Sequence, residues 1–202
     1  MKETPEVVLM NEQAENRPQA EAPSVELMTA DEFLWMTDNK HYEILDGVPV
    51  EKGCGAYAST IAVQLGTLLS VPVNRQKLGR LYAGGLGYRC FPNRPNHVRK
   101  PSFSFVAEHR HLNGQIPKFD FLIPPDLAVE VVTPDATYQF IETKIRDFRS
   151  VGVPLVWVVS PSAKTVQVRR PDGTGLILQE SDTLTGEDVV PGFAVPVASL
   201  FV

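Results

Sequence analysis

Apolar and polar positions alternate in short, well-marked runs from about Met28 onward. In PPDLAVEVVTPD (124–135), five of the six residues from Leu127 to Val132 are apolar, which predicts a buried strand over 126–132. Between Asp135 and Gly152 the spacing becomes helical. Tyr138, Ile141, Ile145, Phe148 and Val151 fall on one stripe, and Lys144 falls on the same stripe. PLVWVV (154–159) reads as a second buried strand. Strand, helix and strand in this order predict a βαβ unit with parallel strands and a right-handed crossover.

The flanking segments divide as clearly. TADE at 29–32 is a capping-box pattern that opens a short helix through about Met36. In HYEILDGVPVEKG the Asp46-Gly47 turn predicts a β-hairpin. Ile61, Leu65, Leu68 and Leu69 share one face of a helix running from Ala56 to about Lys77, which Gly79 is expected to end. Strands are expected at Arg80–Ala83, Gly87–Phe91 and 102–106, the first two joined by a GGLG turn that opens no helix. Residues 107–125 form a long polar connection. TVQVRRPDGTGLILQ predicts a C-terminal hairpin turned at Asp172-Gly173, and the proline-broken segment after it is expected along a sheet edge. No internal repeat is visible, and no run approaches the length of a membrane span.

Composition adds boundaries. Residues 1–25 are rich in Glu, Gln, Asn, Pro and Ala without apolar periodicity and read as a disordered acidic tail, leaving 28–202 as one domain. The N-terminus lacks a signal-like apolar segment, so a cytoplasmic protein without a membrane partner is expected. Cys54 and Cys90 form no CxxC pair and read as free core thiols.

Charge is unevenly placed. The net charge is −5, yet residues 1–34 alone carry eight acids and two bases. No Asp or Glu occurs between Glu51 and Glu108, a gap that holds Lys52, Arg75, Lys77, Arg80, Arg89, Arg94, Arg99 and Lys100. Such a stretch is a candidate for following a phosphate backbone, with an unevenly charged surface as the plainer reading.

The chemistry centres on Glu130. A carboxylate inside a buried strand needs a cation beside it, either a basic side chain or a metal ion. Lys144, on the inward stripe of the next helix, is the candidate partner. A carboxylate with a nearby lysine is also what metal-assisted phosphodiester hydrolysis uses. Asp126 shares the Glu130 face but stands roughly 13 Å away on a regular strand, too far to share one ion. A second acid must come from a neighbouring strand. The HxH of His109 and His111 lies in a loop and reads as solvated. There is no P-loop, nucleophile elbow or metal-ligand cysteine spacing.

From Ala56 the order helix, three strands, helix, strand resembles the core of the PD-(D/E)XK nucleases, the restriction-endonuclease-like fold. YEILDG (42–47), RKPSFSFV (99–106), PPDLAVEVVTP (124–134), the Lys144 helix leading into GVPLVWVVSP (152–161), and the ending DTLTGEDVVPGFAVPVASLF are similar in order to the Uma-type restriction-endonuclease family. The resemblance covers about 28–202. It implies an α/β domain with a mixed central sheet flanked by helices, an N-terminal hairpin and a C-terminal hairpin.

It also implies a Mg²⁺- or Mn²⁺-dependent DNA endonuclease, cytoplasmic and homodimeric. Glu130 would be the metal-binding acid, Lys144 the catalytic lysine displaced onto a helix, and Glu43 an accessory acid. The family's second metal ligand is an Asp following a proline, and here that position is Ser102. A neutral hydroxyl is a poor Mg²⁺ ligand, so impaired cleavage is expected unless Asp120 or Glu108 folds back. The alternative is a non-catalytic nuclease-fold module that binds DNA or a protein. Arg89, Arg99 and Lys100 are the candidate DNA contacts.

Overall fold

A computed structural model describes residues 27–53 and 55–201. The acidic tail and Cys54 lie outside the described residues.

A six-stranded mixed sheet forms the centre. Its strands are β3 (Gly79–Ala83), β4 (Phe103–Ala107), β5 (Leu127–Val131), β6 (Leu155–Ser160), β7 (Thr165–Arg169) and β8 (Gly175–Leu178), adjacent in that order. Only β5 and β6 run parallel, as the βαβ pattern requires; the other neighbours are antiparallel. Helix α3 (Tyr138–Ser150) makes the crossover and covers one face, packing Ile145 and Phe148 onto Ala128, Val156 and Val158. Its N-cap is Thr137, whose hydroxyl accepts from the Phe140 N–H. Tyr138, the first residue of α3, is 78% exposed and so leaves the inward stripe expected for it.

Helix α2 (Ala56–Gln76) covers the other face through Ile61, Leu65, Leu69 and Val73, with Leu68 half-buried beside them. By length and composition α2 could cross a membrane, contrary to the expectation that no run is long enough. Here one stripe of it packs on the sheet and the rest of its surface is half-buried or exposed. The helix ends on Lys77, which adopts the left-handed conformation (φ 53°) while Leu78 N–H reaches the Val73 carbonyl at 3.0 Å. Gly79 is not the cap expected. It is needed in β3, where an added Cβ would stand 2.2 Å from the Val106 carbonyl.

The C-terminal segment was expected along an edge. Instead β9 (Thr183–Thr185) and β10 (Ala194–Pro196) pair as a small hairpin, and Leu184, Val190, Phe193, Val197 and Leu200 join the α2 face of the core. The apolar residues of that segment are too many for an edge and cover sheet left bare by α2.

Ahead of the core, α1 (Ala30–Trp35) carries its Thr29–Glu32 capping box, and β1 (Tyr42–Leu45) and β2 (Val48–Glu51) form the expected hairpin. Asp46 and Gly47 both have positive φ, as a type I′ turn requires. The strand expected at Gly87–Phe91 reduces to bridges from Tyr88 to Arg99 and Phe121. Prolines 92 and 95 follow at once, leaving little room for a ladder. The same segment 97–100 bridges β1 through Ile44 and Val98, which ties the hairpin to the core.

Candidate active site

The β4–β5 register decides which residues meet. Phe103 pairs with Val129 and Ser104 with Ala128, so the next position along brings Ser102 opposite Glu130. There the ladder opens, and the Val131 N–H donates to the Ser102 hydroxyl oxygen at 3.1 Å instead of to backbone. Lys144 reaches across from α3. Its Nζ lies 2.9 Å from Glu130 Oε2, 2.6 Å from Glu43 Oε1 and 3.1 Å from the Lys100 carbonyl. Glu130, Glu43 and Lys144 are all buried. Glu43 arrives on β1 because the bridge at Val98 holds the hairpin there; its Oε1 also accepts from the Lys100 N–H at 2.7 Å and its Oε2 from Arg99 at 2.8 Å. Positions 43, 102, 130 and 144 therefore converge.

A second layer supports them. Asp147, one helical turn beyond Lys144, accepts from Arg99 Nε at 2.7 Å and stands 3.0 Å from His97 Nε2; Arg94 links it to Asp46. Asp147 and His97 are absent from the sequence expectations. The signal for Asp147 was its i+3 spacing from Lys144; His97 carried none, since its place depends on pairing across the chain. The cations beside Asp147 hold its carboxyl well below the ordinary range against the cost of burial. For Glu43, burial pushes upward, but the charges of Lys144 and Arg99 outweigh it and the net shift is down. Glu130 moves the other way. Burial raises it, and Lys144 and Lys52 only partly offset that.

Ser102, Glu130 and Lys144 line a cavity of about 180 Å³ whose rim includes Glu51, Lys52, Gly53 and Asp135. Lys52, Gly53, Ser102, Val131 and Thr133 also line a groove of about 740 Å³ beside α2, so the cavity opens onto it. Gly53 is required there, because an added Cβ would stand 2.7 Å from the Asp135 carboxylate and 2.4 Å from the Thr133 hydroxyl.

The donors do not fit a resident Mg²⁺ or Mn²⁺. Among the described residues no group of three or more His, Cys, Asp or Glu is placed to hold a metal. Glu43 has both oxygens engaged. Glu130 Oε1 is buried without a hydrogen bond, yet it lies 2.9 Å from the Lys144 ammonium. One carboxylate already facing a cation, with a hydroxyl opposite, falls an acid short of the charge such an ion needs. Asp120 and Glu108 do not compensate. Glu108 pairs with Arg80 at 3.2 Å, and Asp120 packs against Gly87. Asp126 pairs with Arg110 at 2.8 Å.

Two of the three expected DNA contacts, Arg99 and Lys100, require correction. Arg99 is fully buried between Glu43 and Asp147, and Lys100 is 3% exposed, donating to the Asn39 carbonyl at 2.8 Å over the Phe33 ring. Arg89 pairs with Asp31 across the surface. Four bases of the acid-free stretch, Arg80, Arg89, Arg94 and Arg99, thus meet acids from α1, β1, its turn, α3 and the loop after β4. The histidines divide: His109 is exposed, whereas His111 is buried, 2.8 Å from the Tyr82 hydroxyl, rather than solvated. Cys90 is a free buried thiol, pushed up to about 12 by burial.

No curated protein matches the chain. Among solved structures it is similar to one described as a "putative nuclease belonging to DUF820" from Anabaena variabilis, with a TM-score of 0.74 at 23% identity, covering 86% of this chain and 97% of that one. At that identity the likeness shows the fold alone. The model of the Uma2 family, described as "Putative restriction endonuclease", matches residues 30–198, and this chain belongs to that family.

Proposed function

We propose that the chain is a DNA endonuclease of this family whose phosphodiester-cleaving centre is impaired by Ser102. The observation that carries the reading is the register placing position 102 across from Glu130, with Lys144 on that same acid. Within the cavity, Lys144 holds Glu130 and Glu43 in place and screens their charge from an approaching phosphate. The Ser102 oxygen accepts from Val131, which leaves its proton to donate to a phosphate oxygen. Mg²⁺ or Mn²⁺ would bind tightly only once an acid returns at 102. A double-strand cut needs two centres, so the reading includes a homodimer.

Plasmid nicking with Mn²⁺ or Mg²⁺ tests this. Slow nicking is expected from the natural protein, at least tenfold faster nicking from Ser102→Asp, and none from Glu130→Ala. A Ser102→Asp protein that neither cleaves nor binds metal would remove the endonuclease reading. The bare, already paired Glu130 favours a second reading, a non-catalytic DNA-binding module. Retained DNA binding with no cleavage by any variant would select it.

A further inference from the structure

The cations around the cavity are nearly all spent. Lys144 has three N–H donors and three acceptors within 3.1 Å. Arg99 and Lys100 are buried and committed. Lys52 differs. Its backbone N–H is fixed to the His41 carbonyl at 2.7 Å, extending the hairpin ladder by one step. Its side chain lines both the cavity and the groove. Among the described residues the only hydrogen bond from its Nζ is a long one, 3.5 Å, to the Pro101 carbonyl, and it joins no carboxylate. That leaves at least two donors facing the space that a phosphate would enter. Ser102, the neighbour of Pro101, lines the same cavity and groove, with its oxygen engaged and its proton free.

We propose that Lys52 and Ser102 form a metal-free seat for one backbone phosphate of DNA, with Lys52 as the cation that meets it. Lys144 meets the Glu130 charge, and Glu51 and Asp135, which line the cavity, do not line the groove, where Lys52 and Ser102 also stand. Burial and the Lys144 charge lower the Lys52 pKa, as for an ammonium set inside a wall rather than on the surface, while Glu130 and Glu43 pull it up. The seat rests on the DNA reading above and adds to it that phosphate recognition needs no divalent ion.

The test is fluorescence anisotropy with a labelled DNA duplex, titrated at several salt concentrations in EDTA and again in Mg²⁺. The natural protein is expected to bind equally in both. Lys52→Met is expected to lose about tenfold in affinity and to lower the salt slope by about one. Lys52→Arg should keep both, since it restores the charge, and that separates a phosphate contact from packing of the lysine stem. Thermal unfolding of each variant shows that it is folded. Lys52→Met binding with unchanged affinity and slope, Lys52→Arg failing as Lys52→Met does, or natural protein binding only with Mg²⁺ would each overturn the seat while leaving DNA binding intact. Natural protein that binds no duplex in either buffer would overturn the DNA reading and the seat together.

Discussion

At the scale of single residues, two acids share one ammonium and shift in opposite directions. Burial raises both, but Glu43 is held down by Lys144 and Arg99 together, whereas Glu130 is in direct contact with Lys144 alone and feels Lys52 from farther off. The fold therefore disfavours ionised Glu130. Its native pKa lies above the unfolded value, so no penalty exists at low pH, where both states are protonated. The penalty grows as pH rises above the ordinary carboxylate range. Glu130→Gln leaves Lys144 with Glu43 and the Lys100 carbonyl, and removes a charge held at a cost. Its melting temperature is expected to exceed that of the natural protein at pH 8, with the gap shrinking toward pH 4.5. A variant melting lower at pH 8 would mean that the Glu130–Lys144 pair is a net stabiliser. An acid retained against stability is what a working site leads one to expect.

At the scale of elements, the site depends on α3 and the hairpin meeting through segment 97–100. Asp147 is 5% exposed and faces Arg99, Arg94 and His97. Its depressed pKa contributes stability above the ordinary Asp range, lost as pH falls below it. Replacing Asp147 with Ala leaves the buried Arg99 with Glu43 alone, an acid it shares with Lys144, and chemical denaturation is expected to show a loss of about 3 kcal/mol. Arg99→Ala is expected to act likewise, on folding rather than on DNA affinity. A loss under 1 kcal/mol for both would show that the network contributes little.

Much of this was legible in the sequence. Period-2 and period-3.6 patterns located β5, α3 and β6, and they put Lys144 on the side of α3 that faces Glu130. The convergence of Ser102 with Glu130 was not legible from pattern alone, since register is set by pairing between strands. Arg99 shows the reverse failure. Eight bases in an acid-free stretch suggested a phosphate path, but long-range pairing brought Asp31, Glu43, Asp46, Glu108 and Asp147 to four of them, Arg80, Arg89, Arg94 and Arg99.

At the scale of the molecule, the sheet is covered by α2 and the C-terminal segment on one face and by α3 on the other, and the cavity opens where β4 and β5 part. The proposed function makes this opening a divalent-ion site short of one acid. Ser102→Asp adds a second carboxylate beside Glu130, so in EDTA the variant is expected to melt below the natural protein. Thermal unfolding of both proteins with and without Mn²⁺ is the most direct measurement. An ion held at 100 times its Kd adds about 2.7 kcal/mol, so Mn²⁺ is expected to raise the Ser102→Asp melting temperature by about 5 °C or more and to move the natural protein little. A Ser102→Asp protein indifferent to Mn²⁺, or a natural protein that responds equally, would contradict the account.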